Sequence, residues 1–385
     1  MKTRYIIYLF LCFLGLVSCR KQTGTDTTSP FDSLPAEGKV FRASNAGGSV
    51  KSHFQDISQS GQLVWDKSDN LAVYAVNTSS EDMAESAVKG LAYIDPAFDG
   101  EVNAEFKSVL TEAQWFEGVS SGESKWFFAT YPCYDALAQQ PLQKVAGEER
   151  TDYILPIYVP STQNYSAGFQ AYQTLVSNGG EYIAGQTGNF GTFTPVTSLI
   201  RFKIRSKKAE SSCHVSEMSV RFGYETLLSD YLESDVSFNI AGPALLDVNP
   251  ATKTLTWSTE NGQNSWNNAV YLDFYTKSNE EEGLLVTEEY SDYIYIVVLP
   301  TRFPASSREP MIQFLAEYYL LWDNHYKGDA YALTVPLPDE LHSGIDAGKC
   351  YSFAVTLEEG RLSVGYEGSC NMGAYEINTE WGQED

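Results

Sequence analysis

The chain is poor in the side chains that perform chemistry near neutral pH. It has four histidines, His53, His214, His325 and His342, and none stands at metal-ligand spacing from another His, Cys or Asp. His214 follows Cys213, but neighbours on a strand point to opposite faces, so a Cys–His catalytic pair would have to assemble from distant parts of the fold. The G-x-S-x-G, H-E-x-x-H, P-loop and dinucleotide-binding motifs are all missing. These absences remove the motif-borne enzyme classes, and no cofactor is expected. Basic residues are also few: 26 Lys and Arg against 50 Asp and Glu, a net charge of -24. Such a chain is a poor partner for nucleic acid or anionic lipid. The acids are scattered, the densest run being Glu280-Glu281-Glu282, and read as solubility. After residue 17 there is no apolar run that could span a bilayer, and long amphipathic helices are scarce.

Cysteine is limited to six positions. Cys12 lies in the leader, and Cys19 is the first residue after it. Cys133, Cys213, Cys350 and Cys370 remain, at spacings that form no zinc motif. In an exported protein these four permit disulfides, with three possible connectivities, and buried thiols are the alternative. One pairing has geometry behind it. A hairpin turning at Glu358-Glu359-Gly360 brings Cys350 back near residue 368, a short slip from Cys370.

What is present begins with the leader. Lys2 and Arg4 open the sequence, an apolar run from Tyr5 to Val17 follows, and it ends at Leu16-Val17-Ser18-Cys19. A basic start, a short apolar middle and a small-residue cleavage site make a secretory signal. The cysteine directly after the small residue makes it a lipobox, with cleavage before Cys19 and diacylation of its thiol. The plainer alternative is an ordinary secretory signal with a chance cysteine. Residues 1–18 are thus the signal peptide, and residues 19–37, polar and without periodicity, read as a tether.

From Lys39 onward the pattern is short strands between turn residues, and the fold class is all-β. In the run from Leu199 to Arg205, Ile200, Phe202 and Ile204 share one face, with Arg201, Lys203 and Arg205 on the other: a half-buried antiparallel strand. Tyr351, Phe353, Val355 and Leu357 align likewise, and Leu362, Val364 and Tyr366 return after the turn. Tyr293 to Leu299 is apolar on both faces, which predicts a central strand ended by Pro300. Leu71 to Val76 and Trp126 to Ala129 are similar. Short helical turns are expected near Glu81–Leu91 and Pro338–His342. Gly185, Gly188, Gly191 and Pro195 cluster at a boundary, dividing the body into domains 38–194 and 195–385. Asp95, Asp99 and Glu101 could ligate calcium, but Asp beside Pro96 and Gly100 is more simply turn-forming.

The motifs in order are Trp65-Asp66 with Asp69 and Leu71-Ala72-Val73-Tyr74, then Phe128-Ala129-Thr130-Tyr131-Pro132, then Leu155-Pro156 with Gln163. The basic-alternating strand Ser198 to Ile204, the strand Tyr295 to Pro300 and Ala347-Gly348-Lys349-Cys350-Tyr351-Ser352-Phe353 follow. The chain closes on Tyr375-Glu376-Ile377-Asn378-Thr379-Glu380-Trp381. Together they resemble the fimbrillin family of Bacteroidetes lipoproteins, the subunits of lipid-routed pili. The resemblance implies two transthyretin-like β-sandwich domains in tandem, export as an outer-membrane lipoprotein, trimming after a basic residue near the N-terminus, and polymerisation by strand exchange. It makes Arg42 the candidate processing site, with Arg150 a second. Tyr375, Ile377 and Trp381 share one face and would form a donor strand; an ordinary final strand is the alternative. Arg20 and Lys21 stand where an acidic run is associated with surface export, so the membrane face stays open. The implied partners are other fimbrial subunits through β-strand addition, the membrane through the lipid, and surface glycans or proteins. A glycan-binding surface lipoprotein is the alternative function.

Overall fold

The computed structural model describes residues 34–43, 53–54, 63–65, 67, 69–80, 82–99, 101, 103–131, 142–144, 153–169, 172–191, 193–207, 213–224, 238–258, 269–274, 283–303, 308–322, 325–358 and 361–371. The first strands are β1 (Gly38–Ala43), β2 (His53–Phe54), β3 (Leu63–Val64), β4 (Asn70–Val76), β5 (Val88–Ile94) and β6 (Ala104–Thr111). A single helical turn, α1 (Glu112–Trp115), leads into β7 (Lys125–Tyr131), β8 (Gln143–Lys144), β9 (Tyr153–Val159) and β10 (Thr162–Asn164). Next come β11 (Leu175–Tyr182), β12 (Gly188–Gly191), β13 (Thr194–Pro195), β14 (Ser198–Ser206), β15 (Cys213–Tyr224) and β16 (Gly242–Asn249). Then follow β17 (Thr254–Trp257), β18 (Ala269–Asp273), β19 (Leu284–Val286), β20 (Ile294–Val298) and β21 (Thr301–Arg302). The last are β22 (Pro310–Trp322), β23 (His325–Pro336), β24 (Gly344–Ile345), β25 (Lys349–Glu358) and β26 (Arg361–Asn371). The fold is all-β, and among the described residues no helix is long and apolar enough to cross a membrane.

Two bodies of sheet follow from the alternation. In the first, an eight-stranded sheet runs β12-β1-β6-β5-β4-β7-β11-β13. It rolls until β11 and β12 touch, and Ser177 Oγ donates to the Phe190 carbonyl across the seam. β4 and β7 are apolar on both faces because both are covered. Val73, Ala75, Phe127 and Ala129 join Phe41, Trp65, Phe106 and Trp115 inside the roll. Tyr74, Val76, Trp126 and Phe128 face outward onto a four-stranded sheet, β17-β16-β9-β8. In the second body, the sheet β10-β18-β15-β22-β23 packs on the sheet β20-β14-β25-β26. Their shared core holds Ile200, Phe202, Ile204, Val220, Phe222, Phe314, Phe353 and Val355.

The break at 194/195 is a division of the sequence, and in space the chain crosses it twice. β10, from the first half, runs parallel to β18, while β16 of the second half pairs antiparallel with β9.

Three local expectations are corrected. β14 is antiparallel to β20 but parallel to β25, so it is a mixed-sheet strand. β20 is an edge strand rather than a central one. Its second apolar face is explained by Tyr295, Val297 and Leu299, which pack into the core of the first body. The segment 81–91 forms a turn at 83–86 and then enters β5; the other expected helical turn is present at Asp339–Leu341.

Candidate strand-exchange site

β1 is short, and its alternation is strict. Lys39, Phe41 and Ala43 point inward and are buried, while Arg42 is exposed. The strand is wedged between two others, antiparallel to β6 (Phe41 opposite Phe106) and parallel to β12 (Phe41 opposite Gly188). The Phe41 ring stacks on Phe190 at 5.0 Å and meets Trp115 edge-on at 5.9 Å and Phe127 at 5.8 Å. Lys39 is the unusual member, with only 2% of its side chain exposed. Its Nζ donates to the Gln186 carbonyl at 2.6 Å and to Glu112 Oε1 at 3.3 Å, and lies over the rings of Phe116 and Phe127 at 5.2 and 5.9 Å. Glu112 Oε1 also accepts from the Gly185 backbone, so one carboxylate ties β1, α1 and the loop before β12 together.

Arg42, the sequence-derived processing candidate, sits inside β1. Its Nε donates to Glu105 Oε1 at 2.8 Å, with side-chain exposures of 62% and 35%. An exposed pair of this kind contributes ~0–1 kcal/mol, whereas burying a ring such as Phe41 contributes ~1.5–3 kcal/mol. The strand is therefore held by its inward face and its ladder, and the Arg42 side chain stands clear of both. Cys19, Arg150, Tyr375, Ile377 and Trp381 lie outside the described residues.

The cysteine register departs from a regular hairpin in an informative way. Glu358 lies opposite Arg361 and Phe353 opposite Tyr366, but an irregularity between Ser352 and Phe353 shifts the ladder by one residue. The shift sets Cys350 directly opposite Cys370. Cys350 itself is buried against the core of the first body.

Among the described residues, the expected chemistry-bearing side chains do not converge. Asp95 takes the turn-forming role, capping a 3-10 turn by accepting from Ala97 N at 2.9 Å, while Asp99 accepts from Lys67 N at 3.0 Å, a tie to a segment 32 residues earlier. Among the described residues no three His, Cys, Asp or Glu side chains are placed to hold a metal ion. Cys213 points into the core while His214 is on the other side of β15.

Three features were not legible in the sequence because each needs strand register. Glu217, Glu317 and Asp273 form a row across β15, β22 and β18. Burial first, then the Glu317 and Asp273 charges, pushes the Glu217 carboxyl up to about 7. On the outer face of β14, Arg201 lies 4.2 Å over the Tyr293 ring, and Lys203 and Arg205 lie 4.9 and 4.3 Å over Tyr290. A cavity of about 230 Å³ opens where the two bodies meet, lined by Tyr165, Phe169, Tyr172, Leu272 and Tyr295 beside Asn164 and Gly168. Tyr165 is 44% exposed at its rim.

No family model matches the chain, and no curated protein sequence matches it either. Among solved structures, it is similar to a candidate cell adhesion protein from Bacteroides ovatus, at TM-score 0.40 and 13% identity over 87% of this chain and 98% of that one. It is similar to a fimbrial protein from Bacteroides vulgatus, at TM-score 0.38 and 10% identity over 79% of this chain and 92% of that one. The tip fimbrial protein Mfa3 from Porphyromonas gingivalis, with C-terminal truncation, gives TM-score 0.34 and 9% identity over 86% and 98% of the two chains.

Proposed function

We propose that this chain is a non-enzymatic structural subunit, or an accessory or tip adhesin, of lipoprotein-routed fimbriae and mediates cell adhesion. In this reading its two bodies are transthyretin-like sandwiches, Cys19 carries the lipid, and the chain is held at the outer membrane or in the fimbrium at the cell surface. Assembly proceeds by strand addition. Cleavage at Arg42 frees β1, its slot accepts an extended strand of a neighbouring subunit, and Tyr375, Ile377 and Trp381 are this chain's own donor residues. The observation that supports it is the placing of β1 between β6 and β12, since its departure bares unpaired main chain on both sides and the Phe127, Phe190 and Trp115 rings beneath. Immunogold electron microscopy of producing cells tests the reading. Label on filaments or their tips is expected, and loss of that label on deleting residues 374–385 supports the donor role. Label spread over the envelope and absent from filaments overturns it.

A glycan-binding surface lipoprotein is the second reading, favoured by the aromatic cavity at the junction of the two bodies. A polysaccharide screen of residues 20–385 addresses it: saturable binding lost in Tyr165→Ala supports this reading, and no binding removes it.

A further inference from the structure

The β1 slot makes three demands that a generic apolar groove would not. A Cβ at position 38 would lie 2.5 Å from the Ser108 carbonyl oxygen, so that position must carry no side chain. Position 39 delivers an ammonium to a place with 2% exposure, where the Glu112 carboxylate, the Gln186 carbonyl and two ring faces converge on it. A buried cation costs several kcal/mol unless such partners meet it. Here the partners are built into the slot by α1 and the loop at 185–186, so a strand without a cation takes away the donor to the Gln186 carbonyl and leaves the Glu112 carboxylate, 38% exposed, with the Gly185 backbone and solvent. Position 41 fills a space that exists because β12 has glycine opposite: a Cβ on Gly188 would lie 2.5 Å from Phe41 Cδ1. The slot reads Gly-Lys-x-Phe.

Residues 372–385 do not supply that pattern. They contain Glu376, Glu380, Glu384 and Asp385 and no Lys or Arg. On the face bearing Tyr375, Ile377 and Trp381, the residues two places ahead of the aromatic side chains are Gly373 and Thr379.

We propose that the slot between β6 and β12 selects its strand by charge, requiring a long cationic side chain two residues ahead of an aromatic one, with glycine before the cation. It therefore accepts a strand from a different subunit rather than residues 372–385 of another copy of this chain. The proposal rests on the strand-exchange reading above, and Glu112 is its specificity-determining residue.

The test uses residues 20–385 carrying Lys39→Ser and Phe41→Ser, which disables the chain's own β1. The chain is refolded alone or with one of four fluorescent peptides: residues 35–43, the same with Lys39→Met, the same with Lys39→Glu, and residues 372–385. Binding is read by anisotropy. Should the variant not fold alone, the yield of folded chain with each peptide gives the same ranking. The expected result is capture of the 35–43 peptide, at least tenfold weaker capture of the Met version, and none of 372–385. Adding Glu112→Lys to the chain should invert the preference between the Lys and Glu peptides, which a merely structural role for Glu112 would not do. Equal capture of the Lys and Met peptides overturns charge selection and leaves strand exchange standing. Capture of no peptide, with the chain folded, overturns strand exchange at this slot and the selectivity with it.

Discussion

The side-chain amide of Gln163 exchanges two hydrogen bonds with the backbone of Val297, 134 residues further along the chain. Gln163 Nε2 donates to the Val297 carbonyl at 2.7 Å, and Val297 N donates to Gln163 Oε1 at 3.0 Å. The amide thus imitates a neighbouring strand at the open edge of β20. It joins the two sheets of the second body at a position that is 1% exposed, where water cannot replace it.

Replacing Gln163 should therefore cost more than an ordinary hydrogen bond. Gln163→Ala leaves a buried N–H and a buried C=O on Val297 unmet, at ~1–3 kcal/mol for each unsatisfied group. Denaturant unfolding of the variant should show a lower midpoint. Gln163→Glu should be at least as destabilising near neutral pH, because a carboxylate can accept from Val297 N but has no proton for its carbonyl.

Glu217 should make the fold less stable as pH rises. Its carboxyl is pushed from 4.5 to about 7 by burial and then by Glu317 and Asp273. Between those values the folded chain holds a proton that the unfolded chain has released, so its contribution to stability falls through that window. Melting temperatures of wild type and Glu217→Gln across pH 4 to 8 should diverge toward the alkaline end, with the Gln variant the more stable there. Parallel curves would mean that the Glu217 carboxyl is not raised in the folded chain.

Cys350 and Cys370 should form a cross-strand disulfide in chain recovered from an oxidising compartment, since the one-residue shift sets them opposite each other. Mass spectrometry of non-reduced peptides should find them linked. Two alkylated thiols at these positions would show that register alone did not bring the sulfurs together. A linked pair would fasten β26, and with it the segment leading to Tyr375, onto β25.

Cys19→Ala should abolish membrane attachment. Fractionation of cells producing the variant should place it in the soluble or unprocessed pool, whereas wild type should incorporate labelled fatty acid. Unchanged membrane fractionation would remove the lipobox.

The sequence alone determined the fold class and much of the strand content. Period-two alternation is a local property, so Ile200, Phe202 and Ile204 could be placed on one buried face, as could Tyr351, Phe353, Val355 and Leu357. Turn chemistry is local too, which is why Asp95 read correctly as a turn former. Strand neighbours are not local. An apolar run such as 293–299 reads the same whether it is central in a sheet or at an edge pressed against a second body, and only the tertiary structure put β20 at the edge. Gln163 was legible as part of a motif but not as an edge cap, because its partner comes from a distant strand. For the same reason the charge pocket around Lys39 could not be read in advance. Lys39, Glu112 and Gln186 have no periodic relation in sequence and meet only because the eight-stranded sheet rolls far enough to bring α1 and the loop before β12 to the same strand.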